Sequence, residues 1–445
     1  ESGQRISVLD FGAIPDDGLD DSENIRKACE YCRDNKSTVL FFPPGLYNFR
    51  DSLALQIERE AISGVYGENV QGRLFKPDAP YVKALDLFGA ENLVVEAEGA
   101  ILLLEGWYEV VSIDKAREVT IKGLSIVYRR PPNSVGKITK LNEGSFDMQI
   151  DPERYFYLDK DVTGRVHYVD AMRERLYTGG KVSGKELLSK DMIRIYTDFR
   201  PSTGDFCVLR HSGHYRPAIM IKESSDIYIE GVKIHSQPGM GVVGHLSENI
   251  TLENLQVIPE AGMIISTNTD ATHFTSCKGE IVIENCKFGG QGDDCTNIHN
   301  YYYTIVPQTK RSVEIKIQNA DLHALSLDYP DVGDTLLVVN RSNLMEKEHF
   351  IVEQVDTSTV DWRVSVTLNK DWLIGSPDLY YMTNITRRPS VRITNNTVKS
   401  HLARAFLIKS RNVLINKNVV QNSTGTAIQL GAEAGWRESG PVENV

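Results

Sequence analysis

A short motif recurs along this chain: an apolar–polar–apolar run, a Gly or Asn, then a second brief apolar run. It appears at Asn92-Leu-Val-Val-Glu, Glu118-Val-Thr-Ile-Lys-Gly-Leu-Ser-Ile, Asp226-Ile-Tyr-Ile-Glu-Gly-Val-Lys-Ile and Asn249-Ile-Thr-Leu-Glu-Asn-Leu-Gln-Val. It returns at Glu280-Ile-Val-Ile-Glu-Asn-Cys-Lys-Phe, Ser390-Val-Arg-Ile-Thr-Asn-Asn-Thr-Val and Asn412-Val-Leu-Ile-Asn-Lys-Asn-Val-Val. Alternation with period two marks strands with one buried face. The copies at Asp226 and Asn249 start 23 residues apart, those at Ser390 and Asn412 start 22 apart. Such a period, with a residue tolerant of left-handed backbone at the bend, predicts a parallel β-helix. Each coil buries its Ile, Val and Leu only against the coils on either side. A β-sandwich would alternate as well, but its strands would not repeat the same internal punctuation.

Two segments, 129–212 and 303–387, break the period and are too long to be loops within a coil. Both alternate like antiparallel strands, at Phe146-Asp-Met-Gln-Ile, Val313-Glu-Ile-Lys-Ile and Val364-Ser-Val-Thr-Leu. Each also carries a Gly-Asp turn before an apolar run, at Gly204 and Gly333. They are expected to be two small inserted β-barrels, with irregular hairpins as the alternative. The division that follows is 1–128 and 213–302 for the first and central coils, 129–212 and 303–387 for the barrels, and 388–445 for the last coils. Near the N-terminus, Ser22 to about Arg33 reads as a short helix with Ser22 as its N-cap and Glu23 in its first turn. With the strand from Thr38, this resembles the start of many pectate-lyase-like β-helices, where a helix caps the open end.

Composition narrows the function. With 60 acidic residues against 49 basic, the net charge is −11, and no basic run is present to neutralise phosphates. Nucleic acid is therefore not an expected partner. No stretch of about 18 apolar residues exists, so no membrane span is expected. Six cysteines in 445 residues do not make a disulfide scaffold. Cys277, Cys286 and Cys295 lack the close Cys or His pairs of a zinc site, and Cys29 and Cys32 have no second pair; all are expected to be buried free thiols. The sequons at Asn249, Asn340, Asn384, Asn395 and Asn422 say nothing about secretion in a chain this rich in Asn.

The chemistry concentrates at Asn268-Thr-Asp270 and Gly292-Asp293-Asp294. Asp270 and Asp293 are 23 residues apart, one period, so the acids fall on neighbouring coils at nearly one angular position. Neighbours on a regular strand point to opposite faces, so Asp293 and Asp294 serve one site only if the backbone bends. Gly289-Gly290-Gln291-Gly292 supplies that freedom. A carboxylate cluster suits glycoside hydrolysis, with one neutral acid for the leaving oxygen and another carboxylate to activate water. A Ca²⁺ site and a purely structural set of turn caps are the alternatives.

Thr267-Asn-Thr-Asp-Ala-Thr-His-Phe, the Cys277 to Phe288 strand and Gly290-Gln-Gly-Asp-Asp-Cys-Thr-Asn-Ile-His299 together resemble the bacterial α-1,3-galactosidases of glycoside hydrolase family 110. Tyr128-Arg-Arg-Pro-Pro, Gly239-Met-Gly, Glu248-Asn-Ile-Thr-Leu and Glu438-Ser-Gly-Pro-Val extend the resemblance over nearly the whole chain. It implies an all-β fold, a right-handed parallel β-helix with two inserted barrels. It also implies an exo-acting, inverting hydrolase for terminal α-1,3-linked galactose, with no cofactor or metal. Asp270, Asp293 and Asp294 match the family's catalytic carboxylates. Asp293 is assigned as general acid, and Asp270 and Asp294 as the pair holding the water. Cys295 and Asn300 depart from the family's more usual Ala and Gly, and the relatives continue beyond the position matching Val445. The nearest rival is the polygalacturonase family, which shares Asn-Thr-Asp and Gly-Asp-Asp-Cys. Its downstream Gly-His-Gly and Arg-Ile-Lys are missing after Asp294, which favours a neutral substrate. A Ca²⁺-dependent lyase, a carbohydrate-binding β-helix and a tailspike-like adhesin are the remaining readings.

Four further residues are substrate-binding candidates. His273 and His299 follow the acids closely and could bond a sugar or tune an Asp, or simply be structural. Trp436 has a flat apolar face suited to a pyranose ring. Arg404, with Lys409 and Arg411 beyond it, could reach the cleft or lie on solvated surface. The expected partner is an oligosaccharide or glycan ending in α-galactose, in a secreted or periplasmic setting, with oligomer formation open.

Overall fold

The computed structural model describes residues 4–74, 79–317, 327–358 and 363–445. Most of the chain winds into three long parallel sheets, two of nine strands and one of eight. The repeat fixes their register. Val119, Ile227, Ile250, Ile281, Val391 and Val413 face one another on six successive coils, all buried. Ile121, Ile229, Leu252, Ile283 and Ile393 form the neighbouring row. These stacks give the solenoid one continuous core. The bend residues Gly123, Gly231, Asn254, Asn285 and Asn395 all have positive φ, as the motif requires. A second left-handed position opens the strands at Asn92, Glu118, Asp226, Asn249 and Asn412. Only some of these are Asn, so the composition of that position hides its geometry.

The two interruptions differ. The strands Tyr303–Pro307, Ser312–Ile317, Arg363–Leu368, Glu346–Asp356, Thr335–Asn340 and Tyr380–Asn384 close into a barrel around its own core. In the first segment, seven antiparallel strands between Asn133 and Arg210 form a sheet that ends at Leu176–Tyr177 on one side and Val182–Ser189 on the other. It is thus an open sheet among the described residues, not the closed barrel expected. Its turns carry the same Gly-Asp signal, which marks a hairpin but not closure. The predicted helix is present as Ser22–Asp34, but Ser22 is its first residue rather than its N-cap. Asp21 holds the cap position without capping, because its carboxylate accepts instead from the backbone N–H groups of Ile14 and Asn48. A second helix, Ser52–Ile62, is capped by Asp51 and was not read from the sequence. All six cysteines are free and buried. Among the described residues, no helix is long and apolar enough to cross a membrane.

Candidate active site

The acids lie just ahead of two paired strands, Thr272–Thr275 and Thr296–Tyr301, which run parallel with Thr272 opposite Thr296 and Thr275 opposite His299. Backbone bonds from Gly241 to Asp270, Ala271 to Asp294 and Cys295 to Arg404 continue this register backwards. Met240, Asp270, Asp294 and Arg404 therefore occupy one position on four successive coils, and all four line one cavity of about 420 Å³. Asp293 reaches the same cavity because the chain bends just before it. Gly290 has φ +74°, and a Cβ on Gly292 would stand 2.4 Å from the Asn268 carbonyl oxygen. The Arg210 guanidinium bridges the two coils there, donating to the carbonyls of Asn268 and Gly292. The closest oxygens of Asp270, Asp293 and Asp294 lie within 4.8 Å of one another.

The three carboxylates have different surroundings. Asp294, almost fully buried, is clamped by Arg404: Nε donates to Oδ1 at 2.8 Å, Nη2 to Oδ2 at 2.6 Å, and the Arg404 backbone N–H to Oδ1 at 2.8 Å. Asp270, equally buried, meets His273 Nδ1 at 2.7 Å through Oδ2. Burial raises the Asp270 carboxyl, the His273 contact opposes the rise, and the Asp294 charge adds to it. No described side chain hydrogen-bonds the Asp293 carboxyl. Burial, reinforced by Asp270 and Asp294, raises it to about 7, against the pull of Arg210 and Arg404. At this separation ionisation of Asp270 opposes that of Asp293. The remaining charge is compensated by protein cations: burial pushes Arg210 down to about 10, and it stays protonated at neutral pH. With Arg404 already on both oxygens of Asp294, the cluster is a poor host for a divalent cation, whose charge the guanidinium would repel.

The substrate-binding candidates divide clearly. His273 and His299 both line the cavity, with their Nε2 atoms 3.0 Å apart. Trp436 stands at its edge, 61% exposed, in the short turn Ala434–Trp436. Arg404 is not on solvated surface; it is committed to Asp294 and, at 3.3 Å, to Glu433. Lys409 is fully buried and donates to Glu438 at 2.6 Å, while Arg411 is exposed and lies outside the cavity. Sequence reasoning missed Glu438 as a site residue. It faces the cavity because the chain leaves the solenoid after Leu430 and returns antiparallel, Glu438 opposite Tyr301. That reversal has no period to betray it. Burial works against charge on Glu438, but the nearby imidazoles and Lys409 hold the carboxyl below the usual range. Asn297 donates to it at 3.3 Å. The opposite wall is built by Asn69 and Gln71 from the segment after the second helix, Arg165 from the first insertion and His214 from the chain just after it.

The family model described as glycosyl hydrolases family 28 matches residues 205–321. Over 99% of its length the chain is 26% identical to an alpha-1,3-galactosidase B of Bacteroides thetaiotaomicron, covering 74% of that protein. It is 25% identical, again over 99% of its length, to an alpha-1,3-galactosidase A of Shewanella woodyi, covering 75% of it. Among solved structures it is similar to a family 28 exopolygalacturonase of Yersinia enterocolitica, with 12% identity, a TM-score of 0.43, and coverage of all of this chain and 57% of that one.

Proposed function

We propose that the chain is an exo-acting, inverting glycoside hydrolase that releases terminal α-1,3-linked galactose. The observation that carries this reading is the unequal treatment of three adjacent carboxyls: Asp294 clamped by Arg404, Asp270 paired with His273, and Asp293 unclamped and raised to about 7. An acid that still holds its proton near neutrality, beside carboxyls engaged by Arg404 and His273, is what protonation of a glycosidic oxygen needs. Asp293 is the general acid in this reading, and Asp270 and Asp294 orient and deprotonate the water. Their oxygens are closer than the roughly 6.5–9.5 Å between carboxyl groups usual in inverting glycosidases. Inversion rests instead on the resemblance to the family 110 galactosidases, with Arg404 on both Asp294 oxygens and His273 on one of Asp270. A water held between them attacks in their place. The galactosidase names of relatives that match 99% of this chain support the sugar and the linkage.

Glu438 argues for a neutral sugar, since a galacturonate carboxylate would meet a further carboxylate in the cavity wall. Walls on both sides, from the C-terminal return and from Arg165, suit a chain end rather than a mid-chain segment. A right-handed coil, the Ser22–Asp34 helix as its end cap, a division of the chain near 129, 213, 303 and 388, and a secreted or periplasmic setting complete the proposal. Proton NMR of the enzyme with α-1,3-galactobiose tests it: β-galactose must appear before mutarotation. First release of the α-anomer refutes inversion, and cleavage of a uronide oligomer with galactobiose left intact refutes the substrate.

A further inference from the structure

His273, part-buried, and His299, buried, are titratable groups to which the proposed reaction gives no step of their own. They form a chain of three contacts that begins at Asp270 and ends at a backbone carbonyl. His299 Nδ1 lies 2.7 Å from the Asn300 carbonyl oxygen, which can only accept, so Nδ1 carries hydrogen. The two Nε2 atoms, 3.0 Å apart, need a single proton between them. His273 Nδ1 and Asp270 Oδ2, 2.7 Å apart, need one as well. One proton per contact leaves Asp270, His273 and His299 together with no net charge. Within that count the proton at the first contact sits either on His273, with Asp270 ionised, or on Asp270, with His273 neutral.

We propose that His273, oriented by His299, is a positioning residue that places the proton shared by Asp270 and Asp293 on Asp293. The inference rests on the hydrolase reading only for its kinetic consequence. An imidazolium 2.7 Å from one carboxyl of a coupled pair stabilises that carboxyl's anion far more than its neighbour's. The base is thereby emptied and the acid filled, the distribution hydrolysis requires. The groups facing this chain are consistent with it. Burial depresses His273, but the Asp270 contact, with Glu438 behind it, overrides the burial and raises it overall, against Lys409. Burial lowers His299 to about 3; Glu438, with Oε1 3.8 Å from its Nε2, opposes this, while His273 and Lys409 add to it. The Tyr301 ring packs edge-on against His299 at 5.1 Å, fixing its plane. Asp294 and Glu438 also face Asp270 and would raise it if the imidazolium were lost. The sequence already set the two beside the acids: His273 and His299 follow Asp270 and Asp293 by three and six residues on adjacent coils.

Two measurements on the intact protein test it. In ¹⁵N-histidine-labelled enzyme, with no substrate present, His299 should remain neutral with hydrogen on Nδ1 from pH 5 to 8. Over the same range His273 should keep its charge beyond the pH at which a free imidazole loses it. A His299 protonated on Nε2 alone, or a His273 titrating at the free value, overturns the inference while leaving the hydrolase reading intact. Kinetically, His273→Gln should move the acid limb of kcat/KM on α-1,3-galactobiose upward by roughly one pH unit or more. Its kcat should fall at least tenfold with KM little changed. His299→Leu should move the limb the same way by less, and His299→Gln, which keeps an acceptor for His273 and a donor for Asn300, should restore it. An unmoved acid limb in folded His273→Gln overturns the inference. Failure of the wild type to cut galactobiose would instead refute the substrate and leave the spectroscopic arm standing.

Discussion

Replacing Arg404 by Met would remove the clamp on Asp294 while preserving side-chain length. In the wild type Arg404 makes two side-chain bonds to Asp294, at 2.8 and 2.6 Å, with the Asp294 side chain almost wholly buried. Stripping the partner from a buried ion pair costs about 3–5 kcal/mol, because the carboxylate stays behind without its counter-ion. Two features reduce that figure. Arg404 itself is about a quarter exposed, and Asp294 keeps the backbone N–H of residue 404. A loss of about 2–3 kcal/mol is expected. Unfolding entropy of about 2.1 cal/mol/K per residue over 445 residues gives roughly 0.9 kcal/mol/K. The melting temperature should then fall by about 2–3 °C for a chain unfolding as one unit. Catalysis should suffer more: with Asp294 free to rotate and without its counter-ion, kcat should drop about 100-fold or more. Arg404→Lys should recover stability better than turnover, since an ammonium cannot hold both carboxylate oxygens in one plane. Scanning calorimetry and galactose release measure the two effects. A variant with kcat within threefold of wild type and an unmoved melting temperature would refute the role given to the clamp.

Asp293→Asn should abolish turnover and yet stabilise the protein at alkaline pH. The folded carboxyl titrates at about 7 and the unfolded one near 3.9, so between these values the folded state holds the proton more tightly. The site's stabilisation is therefore complete below about pH 4 and lost as pH rises through 7; the melting temperature of the Asn variant should exceed wild type at pH 8 and converge with it near pH 4. Chelator at millimolar concentration should leave kcat unchanged, as Arg404 and Arg210 already balance the acids; loss of activity restored by Ca²⁺ would overturn that. Trp436→Ala should raise KM about five- to tenfold without moving the melting temperature, because the indole is mostly exposed. An unaltered KM would place Trp436 outside the sugar site.

The coils were legible because their code is local and repeated: Ile250 needs Ile227 and Ile281 on either side, and the sequence shows all three in one frame. The carboxylate cluster was legible for the same reason, since a separation of one period is a spatial contact in a solenoid. Closure of the first insertion was not legible, because alternation and Gly-Asp turns specify hairpins and leave the meeting of first and last strands to long-range packing. The capping role of Ser22 failed on a competing bond: Asp20 engages its hydroxyl, and the Arg50 backbone N–H is donated to it. Lys409 shows the limit of composition. Its neighbours Ser410 and Arg411 suggest surface, yet it follows His299 on the next coil and lies beneath the cavity.

The position shared by Met240, Asp270, Asp294 and Arg404 explains why the acids can coexist there at all. Adjacent strands are about 4.8 Å apart, so equal charges at one angular position on successive coils repel strongly once water is excluded. The stack answers with an uncharged Met240 on one side and a cation at Arg404 on the other. Two carboxyls in line are thus the most it carries. A third must stand off the line, and the bend at Gly290 to Gly292 does this by carrying Asp293 out of register toward Arg210. The displaced residue gains the least compensation, which is why it retains a proton near neutrality. Under the proposed reading the general acid is selected by the backbone: the carboxyl that follows the glycine bend is the one given that role, and the carboxyls left in the stack are given the base.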